Sequence, residues 1–183
     1  GLMGLLVIHP REPSGPPPDR DFAYLLSEWK LMPGTHRPDP NEMRDFNLLT
    51  LNGRCFPGTA PMVVKTGDRV RIRIGNLSAM DHHSIHFHGH TWWVTETDGG
   101  VIPESARWPE VTVDVAVGQM RALEFDATEP GDWAFHCHKS HHTMNPMGHS
   151  VPNMIGVDHR GLVKKIQNLV PDYMVMGERG MAD

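Results

Sequence analysis

The sequence predicts an all-β protein, a β-sandwich of Greek-key type. Short apolar or alternating runs separated by turn residues recur along the chain. Val70-Arg71-Ile72-Arg73-Ile74 alternates strictly, placing apolar side chains on one face and arginines on the other, and a turn signal, Thr66-Gly67-Asp68, precedes it. At 183 residues the chain suffices for one well-cored domain with extensions.

In chain order, the apolar run Leu5–His9 reads as a first strand, and it lacks the basic leader of a signal peptide. Arg11–Asp21, with four prolines, reads as a linker. Phe22–Trp29 is the next strand, followed by a polar stretch rich in Pro, Asp and Asn to Asp45. Further strands are expected at Phe46–Leu51, Pro61–Lys65, Val70–Asn76, Ser84–His88, Thr91–Thr95, Val111–Val117, Arg121–Asp126, Asp132–Cys137 and Asn153–Asp158. Leu162–Val170, between Gly161 and Pro171, is the one helical candidate, a short surface helix on a C-terminal tail.

Composition narrows the function. A net charge of −5 with no Lys/Arg stripe argues against nucleic-acid binding. No apolar run reaches the length of a membrane span. The departures from average are 13 His, 12 Met and 16 Pro; His and Met are copper ligands, although Met also fills cores. There are two cysteines, Cys55 and Cys137. Cys55 reads as a buried thiol, while the neighbours of Cys137 point to metal ligation and not to a disulfide.

Two constellations carry the chemistry. The first is His83-Ser84-Ile85-His86-Phe87-His88-Gly89-His90; the second is His136-Cys137-His138, followed by His142 and Met147. Side chains on a strand alternate between faces, so His86 and His88 share one face. His136 and His138 likewise share a face, while Cys137 between them points to the other. One strand can therefore serve two metal sites, one through two imidazoles and the other through a thiolate. A Cys, two His and a weak axial Met suit a blue-copper centre. Cys137, His142 and Met147 lie in one loop, His83 is the natural second imidazole, and His86, His88, His136 and His138 remain for a separate cluster. His141 competes with His142 and Met144 with Met147; the spacing from Cys137 favours His142 and Met147. Asp81, Glu96, Asp98 and Glu104 lie near the first motif as candidates for proton delivery or substrate contact.

His-x-x-His-x-His-Gly-His, followed some fifty residues later by His-Cys-His-x-x-x-His-x-x-x-x-Met, resembles the last cupredoxin domain of multicopper oxidases, most of all the two-domain laccase-like members. The resemblance covers about Phe46 to Asp158. It implies a cupredoxin-like sandwich with His83, Cys137 and His142 on a type 1 copper and Met147 axial to it. It further implies His86 on a type 2 copper, and His88, His136 and His138 on a type 3 pair; His90 is not a ligand in that family. The implied reaction is one-electron oxidation of a phenol, amine or metal ion at the type 1 copper, whose His142 edge usually faces the surface. Electrons then pass through Cys137 to His136 and His138 and on to the trinuclear cluster, where four of them reduce dioxygen to two waters. Eight histidines hold such a cluster, and the motifs here supply four. The others come, in that family, from two His-x-His pairs of a first cupredoxin domain, and neighbouring subunits of a homotrimer share the site in two-domain members. Residues 1–20 resemble the closing strand of that domain plus a linker, leaving 21–160 as the copper domain and 161–183 as the tail. The chain is thus expected to be a fragment or separate half, unable alone to reduce dioxygen well, from an exported protein of the periplasm or extracellular space. The competing readings are a copper nitrite reductase, which has no use for a His on both sides of Cys137, and a non-catalytic electron-transfer cupredoxin, which has none for His86, His88 and His138.

Overall fold

The computed structural model describes residues 2–13, 15–31, 35, 37–39, 41, 46, 48–55, 58–139, 142 and 168. Among them, ten strands form in the order β1 (Arg20–Trp29), β2 (Leu48–Leu51), β3 (Arg69–Asn76), β4 (His83–Phe87), β5 (Trp92–Thr97), β6 (Gly100–Val101), β7 (Trp108–Glu110), β8 (Thr112–Val115), β9 (Met120–Asp126) and β10 (Phe135–Cys137). The larger sheet runs β2-β1-β3-β9-β5-β6, with β7 also paired to β5; the smaller runs β10-β4-β8. The β1–β3 pair is parallel and every other pair antiparallel.

The alternation in β3 does what its pattern requires. Val70, Ile72 and Ile74 are buried, at most 1% exposed, and meet Ile85, Phe87, Val113 and Val115 of the smaller sheet in one core. Arg71 and Arg73 face outward and pair with Asp21 of β1, Glu124 of β9 and Glu96 of β5. Trp92, fully buried, and Phe135 fill the centre against Phe87. The larger sheet thus backs the smaller one, which carries the histidines.

Some expectations need adjusting. Pro61–Lys65 packs Met62 and Val64 against the core but joins no hydrogen-bonded ladder. Leu5–His9 forms no strand and pairs with neither sheet. Its Leu5 instead lies on Gly75, where an added Cβ would sit 2.6 Å from the leucine methyl. β6 and β7 were not expected: two or three residues are too short to show a period, and Pro109 sits in an edge strand, where its missing N–H costs no ladder bond. Asn153–Asp158 lies outside the described residues, as does Leu162–Val170 apart from the helical Asn168.

Candidate metal centre

The register of the smaller sheet sets both sites. Cys137 pairs with Ile85 and His83 with Val115, all on the face turned into the sandwich. His136 pairs with His86, and His86 in turn with Thr112, so these three stand abreast on the opposite face. The backbone N–H of His138 donates to the Ser84 carbonyl at 2.6 Å and carries the pairing one residue beyond β10.

On the inner face His83, Cys137 and His142 bring one donor atom each within 4.8 Å of one another. Nδ1 of His142 lies 3.3 Å from Nδ1 of His83 and 3.5 Å from Sγ of Cys137. Metal–ligand bonds of about 2.0–2.3 Å in a trigonal plane separate the donors by roughly 3.5 Å, so the residues fit a metal ion. Two imidazoles and one thiolate in that plane are the donor set that suits copper in both oxidation states. His83 and His142 are 5% and 7% exposed. Burial pushes the His83 pKa down to about 4, keeping its imidazole neutral and available as a ligand. Burial also raises the Cys137 thiol, against which the backbone amides of Lys139 and Ser84 and the Lys139 charge pull down. No disulfide joins Cys137 to Cys55. Met147 and its competitors His141 and Met144 lie outside the described residues.

The other face gathers four imidazoles. His86 is 4.7 Å from His88, 5.5 Å from His136 and 5.1 Å from His138 between ring centroids. His88 Nε2 and His136 Nε2 approach to 3.1 Å. The other nitrogens are tied back: His136 Nδ1 donates to the Cys137 carbonyl at 2.9 Å, and His86 Nδ1 lies 2.7 Å from Thr112 Oγ1. A ring so held offers its free nitrogen outward. Burial, helped by the neighbouring imidazoles, holds His86 and His136 below the usual histidine pKa. His88 and His138 are exposed, so this half-ring of imidazoles opens to the surface.

Supporting residues show how the loops are set. Asp81 takes the ammonium of Lys139 at 2.8 Å on one oxygen and faces His142 Nε2 at 3.6 Å with the other. The edge of His142 is therefore covered, where the resemblance had it facing the surface. Glu28, buried at the end of β1, accepts the backbone N–H groups of Met80 and Asp81 at 2.6 and 3.1 Å, and so clamps the loop before β4. Of the four acids near the first motif, only Asp81 reaches the site; Glu96 pairs with Arg73 and Asp98 with Arg121, and Glu104 opens a 3-10 turn. Gly89, at φ +78°, lies under the Trp133 ring, which a Cβ there would meet at 2.3 Å. His90 stacks on Phe87 and its Nε2 accepts the Glu129 N–H at 3.3 Å, a packing role. Sequence reasoning missed Glu28, Ser78 and Thr112, since their hydrogen bonds depend on strand register and loop path.

Comparison with known proteins agrees with this geometry. A family profile described as multicopper oxidase matches residues 31–156. Multicopper oxidase MmcO of Mycobacterium tuberculosis is 30% identical over 154 residues, covering 73% of this chain and 29% of that protein. A probable nitrite reductase-hydroxylamine oxidoreductase fusion protein of Kuenenia stuttgartiensis is 29% identical over 150 residues, covering 80% of this chain and 16% of that protein. The chain thus spans less than a third of the length of these relatives. Among solved structures, the multicopper oxidase mgLAC superposes with a TM-score of 0.57 at 28% identity, over 68% of this chain and 38% of its own. A blue copper oxidase of Nitrosomonas europaea gives 0.55 at 28% identity, over 67% and 38%. Profile, relatives and cupredoxin-fold neighbours converge: the chain belongs to the multicopper oxidase family, and copper is its cofactor.

Proposed function

We propose that this chain is the type 1 copper domain of a laccase-like multicopper oxidase and carries half of a trinuclear cluster. His83, Cys137, His142 and Met147 would hold the type 1 copper; His86 would belong to the type 2 copper, and His88, His136 and His138 to the type 3 pair. The carrying observation is that β10 directs Cys137 into a trigonal donor set while its two neighbours join an open face of imidazoles. When bound, copper would supply one-electron oxidation of a reducing substrate and the reduction of dioxygen, with four electrons and four protons, to two waters. The protein's part is placement: the Cys137 backbone links the two sites covalently, and its carbonyl holds the His136 ring at 2.9 Å.

Four imidazoles on an open surface call for four more from outside. The natural source is an N-terminal cupredoxin domain with two His-x-His pairs, in the same chain or in a homotrimeric assembly. In that layout residues 1–20 are the closing strand and linker of the preceding domain, 21–160 the copper domain and 161–183 the tail. Phenols, amines or metal ions are the substrates proposed, and the periplasm or extracellular space the location. A second reading, copper nitrite reduction, draws on the printed name of the Kuenenia relative. It leaves His138 without a use. Spectroscopy of the copper-loaded complete protein separates the two: an oxidase shows a near-ultraviolet type 3 band beside the blue thiolate band and consumes dioxygen. A blue band with no type 3 band and nitrite turnover would overturn the oxidase reading.

A further inference from the structure

We propose that Ser78 is a positioning residue for the type 1 copper: its hydroxyl decides which ring nitrogen of His83 faces the metal and tunes the electron density there. The inference rests on the type 1 reading of His83, Cys137 and His142. Ser78 Oγ lies 2.8 Å from His83 Nε2, and both residues are buried, at 3% and 5% exposure. Nδ1 of the same ring faces the Nδ1 of His142 at 3.3 Å. A neutral imidazole has one N–H and one lone pair. For Nδ1 to bind a metal the proton must sit on Nε2, which then donates to the Ser78 oxygen.

The hydroxyl is held in place independently of the metal. Asn76, 3% exposed, accepts the Ser78 backbone N–H on its Oδ1 at 2.9 Å. Its amide donates to the carbonyls of Asp81 at 2.9 Å and Val115 at 2.8 Å. The loop from the end of β3 to the start of β4 is thereby braced at three points, and Ser78 reaches His83 from a fixed backbone. Without the oxygen, a buried Nε2–H loses its acceptor and the ring loses its anchor. An acceptor on Nε2–H also makes the imidazole a stronger donor at Nδ1, which favours the cupric state. Removing it should raise the reduction potential.

The test uses the copper-loaded protein and its S78A, S78C and S78T variants. Three quantities are read: the blue thiolate-to-copper band, the type 1 reduction potential, and copper retention against a competing chelator. Thermal unfolding of the copper-free forms reports folding. We expect S78A and S78C to bind type 1 copper roughly 10- to 100-fold more weakly and at higher potential, and S78T, which keeps the hydroxyl, to match the parent. Parental potential and retention in S78A and S78C would overturn the proposal. So would an equal shift in all three variants, since the hydroxyl would then not be the cause. A parent protein with no blue band would instead overturn the type 1 reading itself.

Discussion

His83 shows how burial serves ligation. The cost of charging it inside the core leaves a neutral ring, with its pKa pushed down to about 4 from an unfolded value near 6.5. Between those values the unfolded chain binds a proton that the folded one does not, so folding stability rises with pH through that window and is lost as pH falls. The loss from His83 is on the order of 3 kcal/mol, at ~1.4 kcal/mol per pH unit. His86 and His136, also held low, act in the same direction. Denaturant unfolding of the copper-free protein should therefore show falling stability from about pH 6.5 to 4; flat stability across that window would contradict the buried, neutral His83. Cys137 works the other way. Burial keeps it a thiol, so copper must displace its proton, and copper addition near neutral pH should release acid. Thr112 offers a third test. In the complete copper-loaded protein, T112V keeps the shape but removes the partner of His86 Nδ1, so copper at the imidazole face should weaken roughly 10- to 100-fold while the blue band stays; a joint loss of both would argue against two separate sites.

At the scale of the element, the β4–β10 pair and the turn after β4 do the sorting. G89A should push the Trp133 ring aside and place an L-residue at φ +78°, costing about 1–3 kcal/mol and shifting His88 away from His136. Thermal unfolding measures the first effect and copper retention at the imidazole face the second; an unchanged protein would mean that Trp133 does not brace the turn. Much of this pair was legible in the sequence, because a period of two puts His86 with His88, and His136 with His138 opposite Cys137, wherever a strand forms; that the two pairs share one face follows from the β4–β10 register. The outward arginines of β3 followed from the same rule. The polar supports did not. Glu28 stands more than fifty residues before the loop it clamps, and nothing local marks it as different from a surface acid. Ser78 and Thr112 are common residues that acquire a role only when loop path and register bring them to a ring nitrogen. Leu5–His9 has the pattern of a strand but pairs with neither described sheet.

At the scale of the whole molecule, one donor set is closed and the other open among the described residues. His83, Cys137 and His142 converge inside the sandwich, whereas His86, His88, His136 and His138 line a face whose members His88 and His138 meet solvent. On the function proposed above, coupling coppers at that face would need imidazoles from its far side, which would assign dioxygen chemistry to an assembly and electron entry to this chain. Copper titration of the 183-residue chain alone, followed by absorption and dioxygen uptake, tests this most directly. The account predicts one tightly bound copper per chain with an intense blue band that C137S abolishes, no near-ultraviolet type 3 band, and negligible dioxygen consumption. A chain that alone shows the type 3 band and reduces dioxygen to water, or one that binds copper without any blue band, would contradict it.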